Sequence, residues 1–269
     1  MTRVLITGAA GHIGKVLRQG LRGRYELLRL SDIAPLGNAT GSGEEVVQAD
    51  VQDFAATHAS MKGIDCVVHL GGVPIEDKWE KILPINIAGT YNVFEAARQQ
   101  GVKRVIFASS NHAIGFYRRG ERIDDTAQPR PDTRYGVSKA FGEAIGHMYA
   151  DKHGIGVACL RIGTCRERPV EIRHLSTWQS HRDITQLIYR CIEAPHLHFI
   201  IAYGVSNNPR SWWDNTAAQQ QLGYVPEDSA ETFAAELLGR EEPVDKVAAL
   251  FHGGPFCSDG FAGDPSQIG

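Results

Sequence analysis

The chain has 269 residues, of which 42% are hydrophobic and 22% charged, with a formal net charge of −3. That composition excludes a disordered chain, and the slight acidic balance leaves no basic excess to hold a phosphate backbone. A mean hydropathy of −0.24, with no apolar run near the roughly 18 residues of a membrane span, excludes a membrane protein. From the N-terminus a strand is predicted over 4–7, a helix over 12–21, strands over 26–30 and 45–47, a helix over 54–61 and a strand over 65–70. A long helix over 79–100, a strand over 104–109, a helix over 134–152 and a strand over 157–162 follow. Strands alternating with helices imply βαβ units, and their near-continuous apolar runs imply burial on both faces. The expected fold class is α/β, a doubly wound parallel sheet.

Beyond residue 163 the pattern changes. Residues 166–177 read as a polar loop, 183–193 as a helix, and 198–202 can form a further strand. The tail 242–269, rich in Gly, Pro and Ser, reads as a loop cover. Residues 1–163 are therefore expected to form a nucleotide-binding domain, and 164–269 a small substrate cap with a tail, packed on that domain. The five cysteines, at 66, 159, 165, 191 and 257, form no Cys-x-x-Cys pair and are odd in number, so no metal site and no disulfide framework is expected. Met1-Thr2-Arg3 runs straight into the short apolar Val4-Leu5-Ile6, too little for a secretory signal; a cytoplasmic protein with reduced thiols is expected.

The first strand leads into Thr7-Gly8-Ala9-Ala10-Gly11-His12-Ile13-Gly14 and then a helix. Gly8 suits the sharp turn, Gly11 the approach of backbone to a pyrophosphate, and Gly14 close packing of helix on strand; His12 and Ile13 open the helix. Asp32 stands 18 residues beyond Gly14, where a carboxylate can bond both adenosine ribose hydroxyls and repel a 2′-phosphate, favouring NAD over NADP. Asp50-Val51 and Leu70-Gly71-Gly72 follow later strands at carboxyl ends, where ligands bind in such sheets. Asn86, inside the long helix, can either brace a loop or touch the cofactor.

The strand over 104–109 ends in Ser109-Ser110-Asn111-His112, and Tyr135 and Lys139 follow, spaced to share one helix face. A neighbouring ammonium is expected to lower the tyrosine pKa from about 10 toward neutrality, making Tyr135 a general acid/base, with Ser110 holding the reacting oxygen.

These residues resemble the short-chain dehydrogenase/reductase superfamily of the extended, epimerase/dehydratase-like type, over roughly residues 2–238. The resemblance implies a Rossmann-type fold, NAD as cofactor, Tyr135 as base, Lys139 as orienter of the nicotinamide ribose and tuner of the tyrosine, and Ser110 as polariser. Further runs are similar to its bacterial uronate dehydrogenase branch: His69-Leu70-Gly71-Gly72, Ser109-Ser110-Asn111-His112, Tyr135-Gly136-Val137-Ser138-Lys139, Arg161-Ile162-Gly163-Thr164-Cys165, Leu175-Ser176-Thr177-Trp178 and Trp212-Trp213-Asp214-Asn215. That similarity implies oxidation of the C1 hydroxyl of cyclic D-galacturonate or D-glucuronate to an aldarolactone. Pro74 departs from the pattern, standing where a hydroxyl residue near the sugar is expected.

A uronate needs a carboxylate receptor. Arg173, in the polar segment, can supply a bidentate guanidinium, with Arg166 and Arg168 as rivals. Asn111, His112 and Thr164 offer short polar groups for the sugar, although His112 can equally be a structural hydrogen-bonder. Trp212 and Trp213 suit packing better than a sugar platform, and Phe256 can fold back over the sugar. A homo-oligomer with a small-molecule substrate and no nucleic-acid or membrane partner is expected. Two other readings stay open: a sugar-nucleotide epimerase or dehydratase, and a non-catalytic NAD-binding protein on the same fold.

Overall fold

The computed structural model describes residues 2–240 and 245–269; Met1 and residues 241–244 lie outside them. Its strands are β1 (Arg3–Thr7), β2 (Leu27–Asp32), β3 (Glu44–Gln48), β4 (Cys66–His69), β5 (Arg104–Ser110), β6 (Gly156–Ile162), β7 (Thr164–Cys165), β8 (Trp178–Gln179) and β9 (Phe199–Gly204). Seven form one parallel sheet in the order β3-β2-β1-β4-β5-β6-β9. The helices that matter for the site are α1 (His12–Gly20), α2 (Phe54–Ser60), α3 (Trp79–Ile82), α4 (Gly89–Gln99), α5 (Arg134–His153), α6 (His174–Thr177) and α7 (His181–Glu193).

Side chains alternate across each strand, so one apolar run fills two cores. Val4, Ile6, Val68 and Ile106 pack with Leu17 of α1 and Ile184, Leu187 and Ile188 of α7. Leu5, Val67, Val105 and Phe107 pack on the other face with Val93 and Phe94 of α4 and Ile145 and Tyr149 of α5. Every strand of the sheet runs the same way, so all their carboxyl ends meet along one edge. The order reverses beside β1, between β2 on one side and β4 on the other, which opens a crevice there.

Several elements differ from expectation. The predicted strand over 26–30 runs on to Asp32, because its register continues beside β3 as far as the Asp32–Gln48 pair. The long helix is interrupted between α3 and α4 by a π-helical stretch, Leu83–Ala88. Pro84 lies at its start and has no N–H to give to the regular helical ladder. Residues 166–177 are not wholly loop: they end in α6 and are framed by the short parallel β7–β8 pair. The strand over 198–202 is realised as β9, beside β6. The boundary expected at residue 163 therefore falls inside one continuous sheet, with β9 as its last strand and α7 packed on one face. The described part of the tail is docked, with Phe251 and Cys257 buried and the His252 and Gly253 amides donating to the Tyr117 and Gly115 carbonyls at 2.9 Å each. Trp213 stacks on Tyr203 in a buried cluster with Ile114 and Val205, a packing role. No helix among the described residues is long and apolar enough to cross a membrane.

One buried ion pair fixes β6 to α5. The Arg161 guanidinium, fully enclosed, donates through Nε and Nη2 to the two Glu143 oxygens, each at 2.9 Å, and Ser109 Oγ donates to Glu143 Oε1 at 2.6 Å. The pair holds the arginine pKa above its ordinary value against the desolvation that lowers it.

Candidate active site

Every expected site residue except Asn86 lines one cavity of about 1010 Å³ at the carboxyl edge of the sheet. At its nucleotide end the chain leaves β1 through Gly8, whose φ of +71° is a left-handed conformation. A Cβ there would also lie 2.6 Å from the Gly71 amide, so the turn is pressed against the loop after β4. A Cβ on Gly14 would sit 2.6 Å from Ala9 Cα, which is the close approach of α1 to its strand. Gly11 precedes α1 and gives it no side-chain cap, and no acidic residue occupies the first turn. The helix N–H groups and the positive end of its dipole are thus free to meet an anion. Asp32 braces the same turn: its Oδ2 accepts from the Ala10 amide and its Oδ1 from the Ala34 amide, both at 2.9 Å. Each oxygen keeps a further lone pair for a ligand hydroxyl. Asp50 takes the Gln52 amide at 2.9 Å, and Val51 borders Gly71.

Asn86 stands behind the wall rather than in it. Its Oδ1 accepts from the Val73 amide at 2.7 Å, and its Nδ2 donates to the Val73 carbonyl and Ser138 Oγ at 3.0 and 3.2 Å. The amide is fully committed, so Asn86 ties the loop after β4 to α5; of its two readings the brace is the one the structure places.

At the chemical end α5 lies close on β5: a Cβ on Gly142 would meet the Phe107 ring at 2.1 Å, and one on Gly136 the His112 carbonyl at 2.2 Å. Thr133 Oγ1 caps the helix by accepting from the Gly136 amide at 3.0 Å, and Glu76 Oε2 accepts from the Tyr135 amide at 2.8 Å. These contacts bring the Tyr135 hydroxyl within hydrogen-bond reach of Ser110. The expected tuning by Lys139 needs correction. Lys139 Nζ donates to the Ala108 carbonyl at 2.8 Å, and burial drops its pKa to about 8. Burial pushes the Tyr135 phenol up to about 12; the Ser110 hydrogen bond pulls the other way and Asp132 adds to the rise. Desolvation wins here, so ionising Tyr135 near neutrality requires further positive charge in the cavity.

At the far end, Arg173 is the guanidinium that the fold selects. Arg168 is taken by Glu236 at 2.5 Å, while Arg166 sits exposed at the cavity rim. Arg173 donates through Nε and Nη2 to the His252 carbonyl at 3.0 and 2.6 Å, and Nη2 to the Asn111 amide oxygen at 2.9 Å. None of the ion pairs among the described residues includes it. Burial pulls its pKa down to about 10, partly offset by Glu171. His112 has a partner that the sequence did not point to. Its Nδ1 lies 2.7 Å from Oδ2 of Asp132, whose side chain is 0% exposed. A Cβ on Gly115 or Gly253 would lie 2.0 Å from that oxygen, so glycines from two distant segments make the space it fills. The contact with Asp132 fixes the His112 imidazole through Nδ1, so its other edge, Nε2, is the one turned from that carboxylate. Phe256 stacks on His112 with centroids 4.0 Å apart, and Thr164 Oγ1 meets Thr177 Oγ1 at 3.2 Å beside them. Pro74 lines the cavity and offers no hydroxyl.

Residues 4–212 match the model of the NAD dependent epimerase/dehydratase family. The chain belongs to that family. Within it, the chain is 49% identical to a uronate dehydrogenase of Pseudomonas putida over 96% of each chain. It is 45% identical to the crystal structure of a uronate dehydrogenase mutant from Agrobacterium tumefaciens complexed with NAD, with a TM-score of 0.91 over 96% of this chain and 97% of that one. A glucuronic acid dehydrogenase structure from Chromohalobacter salexigens is 42% identical, with a TM-score of 0.91 over 99% of each chain.

Proposed function

We propose that this protein is an NAD-dependent uronate dehydrogenase, oxidising the C1 hydroxyl of a cyclic hexuronic acid to the aldarolactone. The observation that carries the substrate is Arg173: a desolvated cation, with no carboxylate partner among the described residues, at the end of the cavity away from the glycine turn. A substrate carboxylate supplies the missing charge. Agreement with uronate dehydrogenases over nearly the whole chain supports the same reading.

The open end of α1 takes the cofactor's pyrophosphate, Asp32 its adenosine ribose, and Lys139 its nicotinamide ribose. When bound, NAD supplies the hydride acceptor and a positive ring charge. Ser110 holds the sugar's C1 oxygen by hydrogen bonding, and Tyr135 takes its proton. Asn111, His112 Nε2 and Thr164 meet the ring hydroxyls, and Phe256 covers them from the docked tail. The acting protein is cytoplasmic and a homo-oligomer in this reading. Five free thiols support the first statement, and exposed Trp79, Tyr91, Val137 and Met148 support the second.

The test is the rise of NADH absorbance when purified protein meets NAD with galacturonate or glucuronate, against glucose and galactose. Uronates oxidised at least about a hundredfold more efficiently support it. Galactose used as well as galacturonate overturns it, and activity only on a sugar nucleotide would move the chain to the epimerase/dehydratase reading. The cofactor role of Asp32 has its own measurement. Asp32→Ala weakens NAD binding by about tenfold or more and erases the preference over NADP, since the ribose acceptor and the brace at the Ala10 amide go together. Equal affinity of the wild-type protein for NAD and NADP would remove that role.

A further inference from the structure

His12, Cys165 and His181 are 153 and 16 residues apart in sequence, yet their ligand atoms all lie within 4.8 Å of one another. They come from three elements: His12 opens α1, Cys165 ends β7 and His181 opens α7. The two Nε2 atoms face each other at 3.1 Å. In a tetrahedral site with metal–nitrogen bonds of about 2.0–2.1 Å, two imidazole nitrogens stand about 3.4 Å apart, so the histidine pair is close to ligating geometry already. His12 is exposed and the other two are half-buried, so an ion can enter.

We propose that His12, His181 and Cys165 form a binding site for a divalent transition metal of the zinc class. Two imidazoles and a thiolate select such an ion over magnesium or calcium, which take oxygen ligands. Three protein ligands leave one coordination position for water or another oxygen donor. The site stands at the rim of the cavity, where His12 and Cys165 are both part of the wall. It is separate from the proton-transfer pair at Ser110 and Tyr135, and it does not depend on which sugar the protein oxidises.

Cobalt(II) is the probe, because its absorption reports its ligands. Titrating Co²⁺ into the reduced, full-length, NAD-free protein is expected to give a saturable one-to-one complex. It should show visible ligand-field bands of a low-coordinate ion and a near-ultraviolet thiolate charge-transfer band, and zinc should displace it. Cys165→Ser removes the charge-transfer band, and His181→Ala weakens binding at least about tenfold. Both variants are checked against wild type by melting temperature and NAD affinity, so a folding defect is recognised as such. Absence of saturable absorption overturns the proposal. So does a charge-transfer band that survives Cys165→Ser in a folded protein, because the thiolate would then belong elsewhere.

Discussion

Tyr135→Phe is expected to lower turnover by at least about a thousandfold, within the usual scale of positioned acid/base catalysis, while leaving NAD affinity within about threefold. The substitution deletes one oxygen. The ring stays in its small apolar cluster with Val73 and Ile82, and the Asn86 and Glu76 contacts that place α5 use other atoms, so the cavity keeps its shape. What disappears is the hydroxyl beside Ser110 that the proposed reaction uses to take the C1 proton. Initial rates from NADH absorbance, with NAD binding measured separately, check both halves. A variant keeping more than about a tenth of wild-type turnover would take the acid/base role away from Tyr135. The pH dependence carries the same logic. Burial holds the Tyr135 phenol up at about 12 in the free protein, so its phenolate is scarce near neutrality. The acting form is the deprotonated one, so wild-type activity climbs with pH through the neutral range, by up to about tenfold per unit, and the residual rate of the phenylalanine variant does not.

Arg173→Ala is expected to cost the uronates about a hundredfold or more in kcat/KM and the neutral sugars far less, so that selectivity for the acid collapses. A charge-assisted hydrogen bond contributes about 1.5–3 kcal/mol, and a desolvated substrate carboxylate left without its partner costs more. Arg173 also holds the His252 carbonyl at the start of the docked tail, so some loss common to all substrates is expected. Arg173→Lys separates the two effects. It keeps the charge and loses the planar fork, and it should recover part of the selectivity. Parallel kinetics on galacturonate and galactose decide the matter: an alanine variant that prefers the uronate as strongly as wild type would mean that the carboxylate is bound elsewhere.

The placement of the glycine turn and of the tyrosine–lysine pair was legible because their geometry is local. Gly8, Gly11 and Gly14 serve one turn, and Tyr135 and Lys139 one helix face, so spacing in the chain is spacing in space. Arg173, Arg166 and Arg168 could not be told apart from spacing, because an arginine in a polar segment reaches many places. Folding separates their surroundings by pairing Arg168 with Glu236 and setting Arg173 in the cavity wall. Asp132 was missed altogether. In the chain it is one more polar residue before the α5 cap, and its importance comes from His112 and from glycines 115 and 253, which no local pattern links to it. Lys139 shows the converse: its spacing to Tyr135 was right, but spacing says nothing of desolvation, which sets the sign of the tyrosine shift here.

The sequence by itself determined the doubly wound sheet, the dinucleotide turn and the tyrosine–lysine pair. Each rests on hydrophobic period or on contacts between residues a few positions apart, and both are written along the chain. Only the tertiary structure decided that Asn86 is a brace and that β9 extends the sheet beside β6. It alone put Arg173 in the cavity wall outside any ion pair among the described residues and brought His12, Cys165 and His181 to one rim. These depend on which distant segments the packed sheet brings together at its carboxyl edge, and on which polar groups find partners there. Pairwise spacing in a chain holds neither quantity.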